Sequence, residues 1–304
     1  MSGARLLEAD AARLASDAGL RASALGFVTE GDLVVLAGDC ALLVGALTGV
    51  PFAELSDDDS AASVARLVGG TLRVMGKDVG REEHREVLGM MPAAVAMPDD
   101  MTPLELLRWE ARLATGKRRG SGALAEAALQ RVGLMPLAKR RISSLGVAER
   151  KGVALAAAIV GEPPALLLDH PLQGLDERGQ LWMMRALEEL ASRHRLLIAT
   201  PRLATDGSLG AIMGAASDIV VLRHGAVVAH GPPASLLSEA STFAVTVEHG
   251  AEALGERLQR MGVALDGGPL HFSVRLKPPH GPSDVLRAAH DTGAVVVACV
   301  PLVG

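Results

Sequence analysis

Residues 165–179 read ALLLDHPLQGLDERG, and the fold turns on how this stretch is read. Four apolar residues, Ala165–Leu168, run without alternation into Asp169, and Gly174–Leu175–Asp176 follows five positions later. A strand buried on both faces has this unbroken apolar character, and such strands belong to parallel sheets covered by helices. This is also how a buried strand ends at a phosphate-handling edge. His170 stands where a hydrolytic site would keep a second carboxylate. The stretch therefore poses a choice between an unusual base and a retained shape without the chemistry.

Working outward, the chain alternates strands and helices. DLVVLAG (32–38) is a short apolar strand and LLVGALTG (42–49) the helix after it. Residues 70–80 alternate like an edge hairpin between glycine turns. Residues 103–116 and 121–133 are expected to be helical, as is 177–193, and RLLIAT (195–200) is a second buried strand. DIVVLRHGAVVAHG (218–231) is a hairpin turning at His224–Gly225. Beyond Pro232–Pro233 the order becomes strand 242–249, helix 251–262, strands 263–266 and 270–276, helix 283–293 and strand 294–300. That β-α-β-β-α-β order is the ferredoxin-like split motif. A domain boundary is expected near residue 240, with 1–240 and 241–304 as the two domains.

Composition excludes several classes. The chain has 304 residues, 49% hydrophobic and 21% charged, long enough for a sizeable core and two domains. Its mean hydropathy of +0.29 is inflated by alanine and glycine, and CALLVGALTGVPFA (40–53) is too short to span a bilayer. Direct membrane insertion is not expected. With net charge −5 and scattered basic residues, a nucleic-acid partner has no electrostatic footprint. Cys40 and Cys299 read as reduced thiols, and the nine histidines never pair at zinc-site spacing. Neither a metal nor a cofactor is expected. Asp57–Asp59, in an insertion over 54–66, reads as a solvated loop.

Taken together, these segments resemble the ATP-binding subunit of an ABC transporter of the ABC-2 type. Residues 76–113 are similar to the family's Q-loop and its helical subdomain, about 93–150 here. Residues 142–179 parallel signature motif, helix, Walker B strand and D-loop in order and spacing, and 220–237 resembles the closing hairpin. The resemblance implies an α/β fold with a P-loop NTPase-like core and helical subdomain, plus the small ferredoxin-like α+β domain.

It also implies where the nucleotide site should lie, and the chain departs from the pattern there. Only AGDCA (37–41) joins strand to helix, with Gly38, Asp39 and Cys40 in place of a longer glycine-rich loop bearing lysine and Ser/Thr. A P-loop works by wrapping backbone N–H groups and a lysine around phosphate. The adenine-stacking aromatic is missing from 11–19. Ala93 falls at the Q-loop glutamine and Pro201 at the switch histidine. The signature reads Leu145–Gly146–Val147–Ala148–Glu149. Asp169 and His170 complete this set, and no lysine or arginine is nominated to reach the cleft. His170 is expected to hydrogen-bond to Asp169 or to the 37–41 turn.

On these grounds the chain is expected to be a degenerate member, a pseudo-ATPase and not an enzyme. The expected role is a non-catalytic subunit docked on an integral membrane partner, cytoplasmic and peripheral on the inner face of the membrane. The resemblance implies a groove for that partner containing Met97, Leu106 and Trp109, with subdomain core as the other reading of Met97 and Trp109. It implies a dimer loop at Gly174, Leu175 and Asp176, in a homodimer or a heterodimer with an intact ABC ATPase. Two alternatives stand beside this: a soluble scaffold that binds other proteins, and a weak ATPase with a rewired site.

Overall fold

Unbroken apolar runs become parallel strands, and alternating runs become a second, antiparallel sheet. The computed structural model describes residues 5–17, 19–49, 52–53, 62–94, 97–204, 206–239, 242–268, 270–276 and 280–301. Asp57–Asp59 lie outside the described residues. The chain divides into two compact units, Met1–Pro233 and Ala234–Gly304.

The first unit begins with β1 (Leu7–Ser16), β2 (Leu25–Val28), β3 (Leu33–Gly38) and α1 (Ala41–Thr48). Then come β4 (Phe52–Ala53), β5 (Ala62–Ser63), β6 (Ala65–Val74), β7 (Lys77–Asp78) and β8 (Leu88–Met91). Three helices follow: α2 (Pro103–Thr115), α3 (Ser121–Arg131) and α4 (Val147–Ile159). The unit continues through β9 (Ala165–Asp169), α5 (Glu177–Ala191), β10 (Arg195–Thr200), α6 (Gly207–Ala215), β11 (Asp218–Arg223) and β12 (Ala226–Gly231).

The central sheet has the order β12-β11-β3-β10-β9-β8, parallel throughout except for β12. Leu166, Leu167 and Leu168 of β9 are fully buried, as are Val34, Val35 and Leu36 of β3, so these strands have helices or sheet on both faces. The antiparallel sheet β2-β1-β6-β7 shares one core with α1, joining Leu7, Leu14 and Leu72 to Leu43, Leu47 and Leu167. That explains α1: Leu42–Leu47 are buried all the way round, because sheet lies on more than one side of it. The helix α2 starts on Thr102, whose hydroxyl accepts from the Glu105 N–H while Glu105 reaches back to the Thr102 N–H. This reciprocal cap sets the helix start firmly.

The helix α7 (Pro233–Glu239) starts at the last residue of the first unit, and the second unit goes on with β13 (Thr242–His249), α8 (Ala251–Arg260), β14 (Ala264–Gly267), β15 (His271–Arg275), α9 (Pro282–Thr292) and β16 (Val295–Pro301). Its sheet order is β14-β15-β13-β16, all antiparallel, which is the ferredoxin-like arrangement. Val245, Leu254, Leu258, Val274 and Val285 form a core of its own.

Candidate functional site

Strand register brings several of the singled-out residues to one edge. Ala199 of β10 lies opposite Asp169 of β9, and Thr200 lies opposite Ala37 of β3. The carboxyl ends of these strands thus carry Gly38–Cys40, Asp169–His170 and, just past Thr200, Pro201. Open α/β sheets bind ligands at this edge. Ala93 lies two residues past the end of β8, the neighbour of β9.

The turn at 37–41 is closed upon its own chain. The Asp39 N–H donates to the Leu222 carbonyl at 2.9 Å, and the Cys40 N–H to the Gly38 carbonyl at 2.8 Å. The Asp39 carboxylate accepts from the His224 N–H at 2.8 Å. Gly38 has φ +93°, and a Cβ there would overlap the Leu222 carbonyl oxygen. Burial pushes the Cys40 thiol far up from its ordinary value, with the Asp169 and Asp39 charges adding to the effect. As folded, the turn presents a carboxylate and a neutral thiol, with two of its N–H groups already engaged. That donor set does not fit a Mg-triphosphate.

His170 resolves to a partner next door. Its Nδ1 lies 2.5 Å from Asp169 Oδ1, while its backbone takes φ +48° and its N–H donates to the Ala199 carbonyl at 3.0 Å. A third group completes the cluster. Lys151, buried on α4, donates from Nζ to the His170 carbonyl at 2.9 Å. Burial lowers its pKa and the Asp169 charge opposes that shift. The sequence nominated no lysine or arginine for this edge, and Lys151 is one that stands beside it. Lys151 comes from the helix after the signature rather than from the turn after β3, so spacing along the first strand gave no sign of it.

The signature segment is a helix start. Leu145 is buried, Gly146 precedes α4, and the Glu149 carboxylate accepts the Gly146 N–H at 2.8 Å. An acidic group in a first turn suits the helix dipole, so this charge is locally favourable. Val147 is 58% exposed. A Cβ on Gly174 would sit 3.8 Å from Val147 Cγ1, so the 174–176 loop borders the signature. Leu175 is buried, and Asp176 caps α5 by accepting the Gly179 N–H at 2.8 Å.

A separate groove lies between the helical subdomain and the parallel sheet, with a volume of about 1330 Å³. Met97, Leu106 and Trp109 all line it. Leu106 is buried, whereas Trp109 is 52% and Leu113 61% exposed, one helical turn apart on α2. Two groove residues were not singled out from sequence. His84 is buried and its Nε2–H donates to the Leu47 carbonyl at 2.7 Å; burial holds its pKa down. Glu110 follows Trp109, and burial raises its carboxyl. The available signal was a carboxylate set among apolar residues on the face of α2 that carries Leu106 and Leu113.

Comparison with known proteins bears on what this arrangement is. A family model described as ABC transporter matches residues 62–173. The zinc import ATP-binding protein ZnuC of Cereibacter sphaeroides is 32% identical over 188 residues, covering 61% of this chain and 73% of that protein. The molybdenum import ATP-binding protein ModC of Mesorhizobium japonicum is 28% identical over 155 residues, covering 51% of this chain and 40% of that protein. The chain thus spans well under half of the latter. A solved structure described as the ATP binding subunit of an ABC transporter matches with TM-score 0.58 and 19% identity, over 77% of this chain and 92% of that one; it bears on fold alone.

These relatives overturn one expectation, that of a pseudo-ATPase that is not an enzyme. Both are ATP-binding proteins by name, and the residues that the family model matches, 62–173, include Asp169. The departures at 37–41, 93, 145–149 and 201 describe how this chain differs from the usual pattern; they no longer stand for a lost activity.

Proposed function

The chain belongs to the ATP-binding proteins of ABC transporters, and from that premise we propose that it docks on an integral membrane partner and pairs with a second ATP-binding subunit. The observation that carries this reading is the groove. Its wall includes Trp109 and Leu113, two large apolar side chains more than half exposed and one turn apart. A half-exposed tryptophan beside an apolar cavity is the kind of anchor that dominates protein interfaces. Among the described residues no helix is long and apolar enough to cross a membrane, so attachment would run through the partner, at the inner face. Pairing would use the exposed Val147 and the adjoining 174–176 loop.

The test is capture of membrane proteins from a detergent extract of native membranes by the tagged chain. A stoichiometric integral membrane protein is expected with the unaltered protein. Trp109→Glu combined with Leu113→Glu should weaken capture by at least about 2 kcal/mol, roughly thirtyfold. Both sites are exposed, so the fold should tolerate the change. If the double variant captures the same protein equally well, the groove is not the docking site.

A further inference from the structure

Over the whole chain the basic residues are scattered, but one stretch gathers them. RWEARLATGKRR (108–119) holds five, Arg108, Arg112, Lys117, Arg118 and Arg119, against the single acid Glu110, in a chain of net charge −5. Glu126 of α3 answers Arg108 at 3.7 Å. The other four are exposed, and among the described residues their side chains make no ion pair or hydrogen bond. The loop that carries three of them is short and set between two helices. Gly116 closes α2 with φ +66°, its N–H donating to the Arg112 carbonyl at 2.9 Å, and Gly120 stands before α3 with φ +87°. The hydroxyl of the buried Ser121 donates to the Arg118 carbonyl at 2.9 Å. Local electrostatics does not account for this cluster. The carboxyl end of α2 favours a cation, but the amino end of α3 follows at Ser121 and disfavours one, and α3 has no acid in its first turn. Three adjacent like charges also repel one another, and no negative group of the described chain offsets that.

We propose that the 117–119 loop, with Arg112, contacts the anionic lipid headgroups of the bilayer beside the membrane partner. This rests on the inner-face attachment given above and adds the lipid chemistry that the chain itself meets there. Placement favours a membrane. Trp109 and Leu113, the exposed apolar pair offered to the partner, lie two turns and one turn before Lys117, so the cations border the side of the chain that faces the bilayer. A nucleic acid would have to reach the side that the bilayer covers, and one tryptophan gives it no run of aromatic side chains to stack on. The chemistry fits as well. Arg118 and Arg119 carry planar forks that suit phosphate oxygens, and Lys117 adds a compact charge. The net charge of −5 does not prevent contact, because exposed charges more than about 8–10 Å away are largely screened at physiological ionic strength. Each cation near an anionic leaflet raises affinity about fivefold, so three give about a hundredfold. Once the partner is engaged this contact forms within one complex, and it strengthens attachment at little further cost.

Sedimentation of the purified full chain with lipid vesicles tests this without the partner. At about 0.1 M salt the chain should bind vesicles of mixed phosphatidylglycerol and phosphatidylcholine but not phosphatidylcholine alone, and about 1 M salt should release it. Lys117→Gln, Arg118→Gln and Arg119→Gln together should lower the partition about a hundredfold. Arg178→Gln, Arg185→Gln and Arg193→Gln together remove the same charge from exposed positions on and just after α5. That control should stay within about threefold of the unaltered chain. All six sites are exposed, so both variants should fold. Equal loss in the two variants would overturn the proposal, because net charge and not this loop would then govern binding. Equal binding to neutral vesicles, or none to anionic ones, would overturn it too. Release from the vesicles by a matching phosphate concentration of duplex DNA would assign the cluster to nucleic acid instead. Capture of the membrane protein through Trp109 and Leu113 is read separately, so docking can stand when the lipid contact falls. If the vesicles are bound through 117–119 and no membrane protein is captured, docking falls and the lipid contact stands.

Discussion

Lys151, Asp169 and His170 form a small polar cluster whose energetics are open to measurement. Lys151 is buried and spends a charge-assisted hydrogen bond on the His170 carbonyl. Lys151→Met removes that donor and leaves Asp169 without its nearby cation, so it should cost about 1–3 kcal/mol in urea unfolding. An unchanged or higher midpoint would mean that burying the ammonium cancels what the bond contributes. Two groove residues give opposite pH signatures. Burial depresses the folded-state pKa of His84, so the unfolded chain takes up its proton first. The stability tied to neutral His84 is present above about pH 6.5 and is lost as pH falls through the lowered folded value. Burial raises Glu110, so its protonated form favours the folded state below about pH 4.3, and that benefit is lost as pH rises through the raised value. Glu110→Gln should therefore melt higher than the unaltered chain at pH 7, and the gap should close as pH falls towards 4. A Glu110→Gln protein that melts lower at pH 7 would contradict this sign. The residue scale also shows what a sequence conceals. Asp169 was legible because four apolar residues lead into it. Lys151 and Glu110 were not, because their meaning depends on burial, and burial depends on which helix packs where.

At the scale of elements, close backbone approach sets the tolerances. A Cβ on Gly89 of β8 would overlap the Ala158 carbonyl of α4, so Gly89→Ala must push helix from strand at the groove wall. A cost of about 1–3 kcal/mol is expected. Gly214 of α6 is the control: nothing lies within 4 Å of the added methyl, so Gly214→Ala should be neutral or stabilise by up to about 1 kcal/mol through helix propensity. Equal effects at both positions would refute the packing argument. The same elements show where sequence pattern works. β3, β9 and β10 were legible because both faces are buried and the apolar run is unbroken. β1 was not, because its register with β2 and β6 shifts between Ala9 and Arg13, where Ala11 has φ +46°. A bulge of that kind flips the alternation that marks a strand. β8 reads LGMM, too short and glycine-broken to stand out, and α6 carries three glycines in GSLGAIMGA.

At the scale of the whole molecule, the open matter is assembly, and the signature face addresses it directly. The edge carrying 37–41 and Asp169 offers phosphate little as folded, so a second subunit that contributes to this edge would change what it can do. On the pairing face proposed above, Val147 is exposed beside the 174–176 loop, while Leu175 and the Asp176 cap anchor the loop to α5. An exposed β-branched residue at a helix start, beside a loop fixed on its far side, is a preformed contact surface with little entropy left to lose on binding. Val147→Glu should leave monomer stability within about 0.5 kcal/mol, as exposed substitutions away from strain do. It should nevertheless weaken pairing, because a carboxylate would be buried against the partner without a counter-charge. Light scattering across a concentration series separates the outcomes for the chain alone. If the unaltered chain forms a dimer and Val147→Glu yields monomers, the chain pairs with itself through this face. If both are monomeric, self-pairing is excluded, and the comparison moves to a homologous ATP-binding subunit recovered from the membrane extract. Loss of that subunit in Val147→Glu, with the membrane protein still captured through Trp109, would assign the two faces to two different partners. Equal retention in both proteins would remove Val147 from the pairing surface altogether.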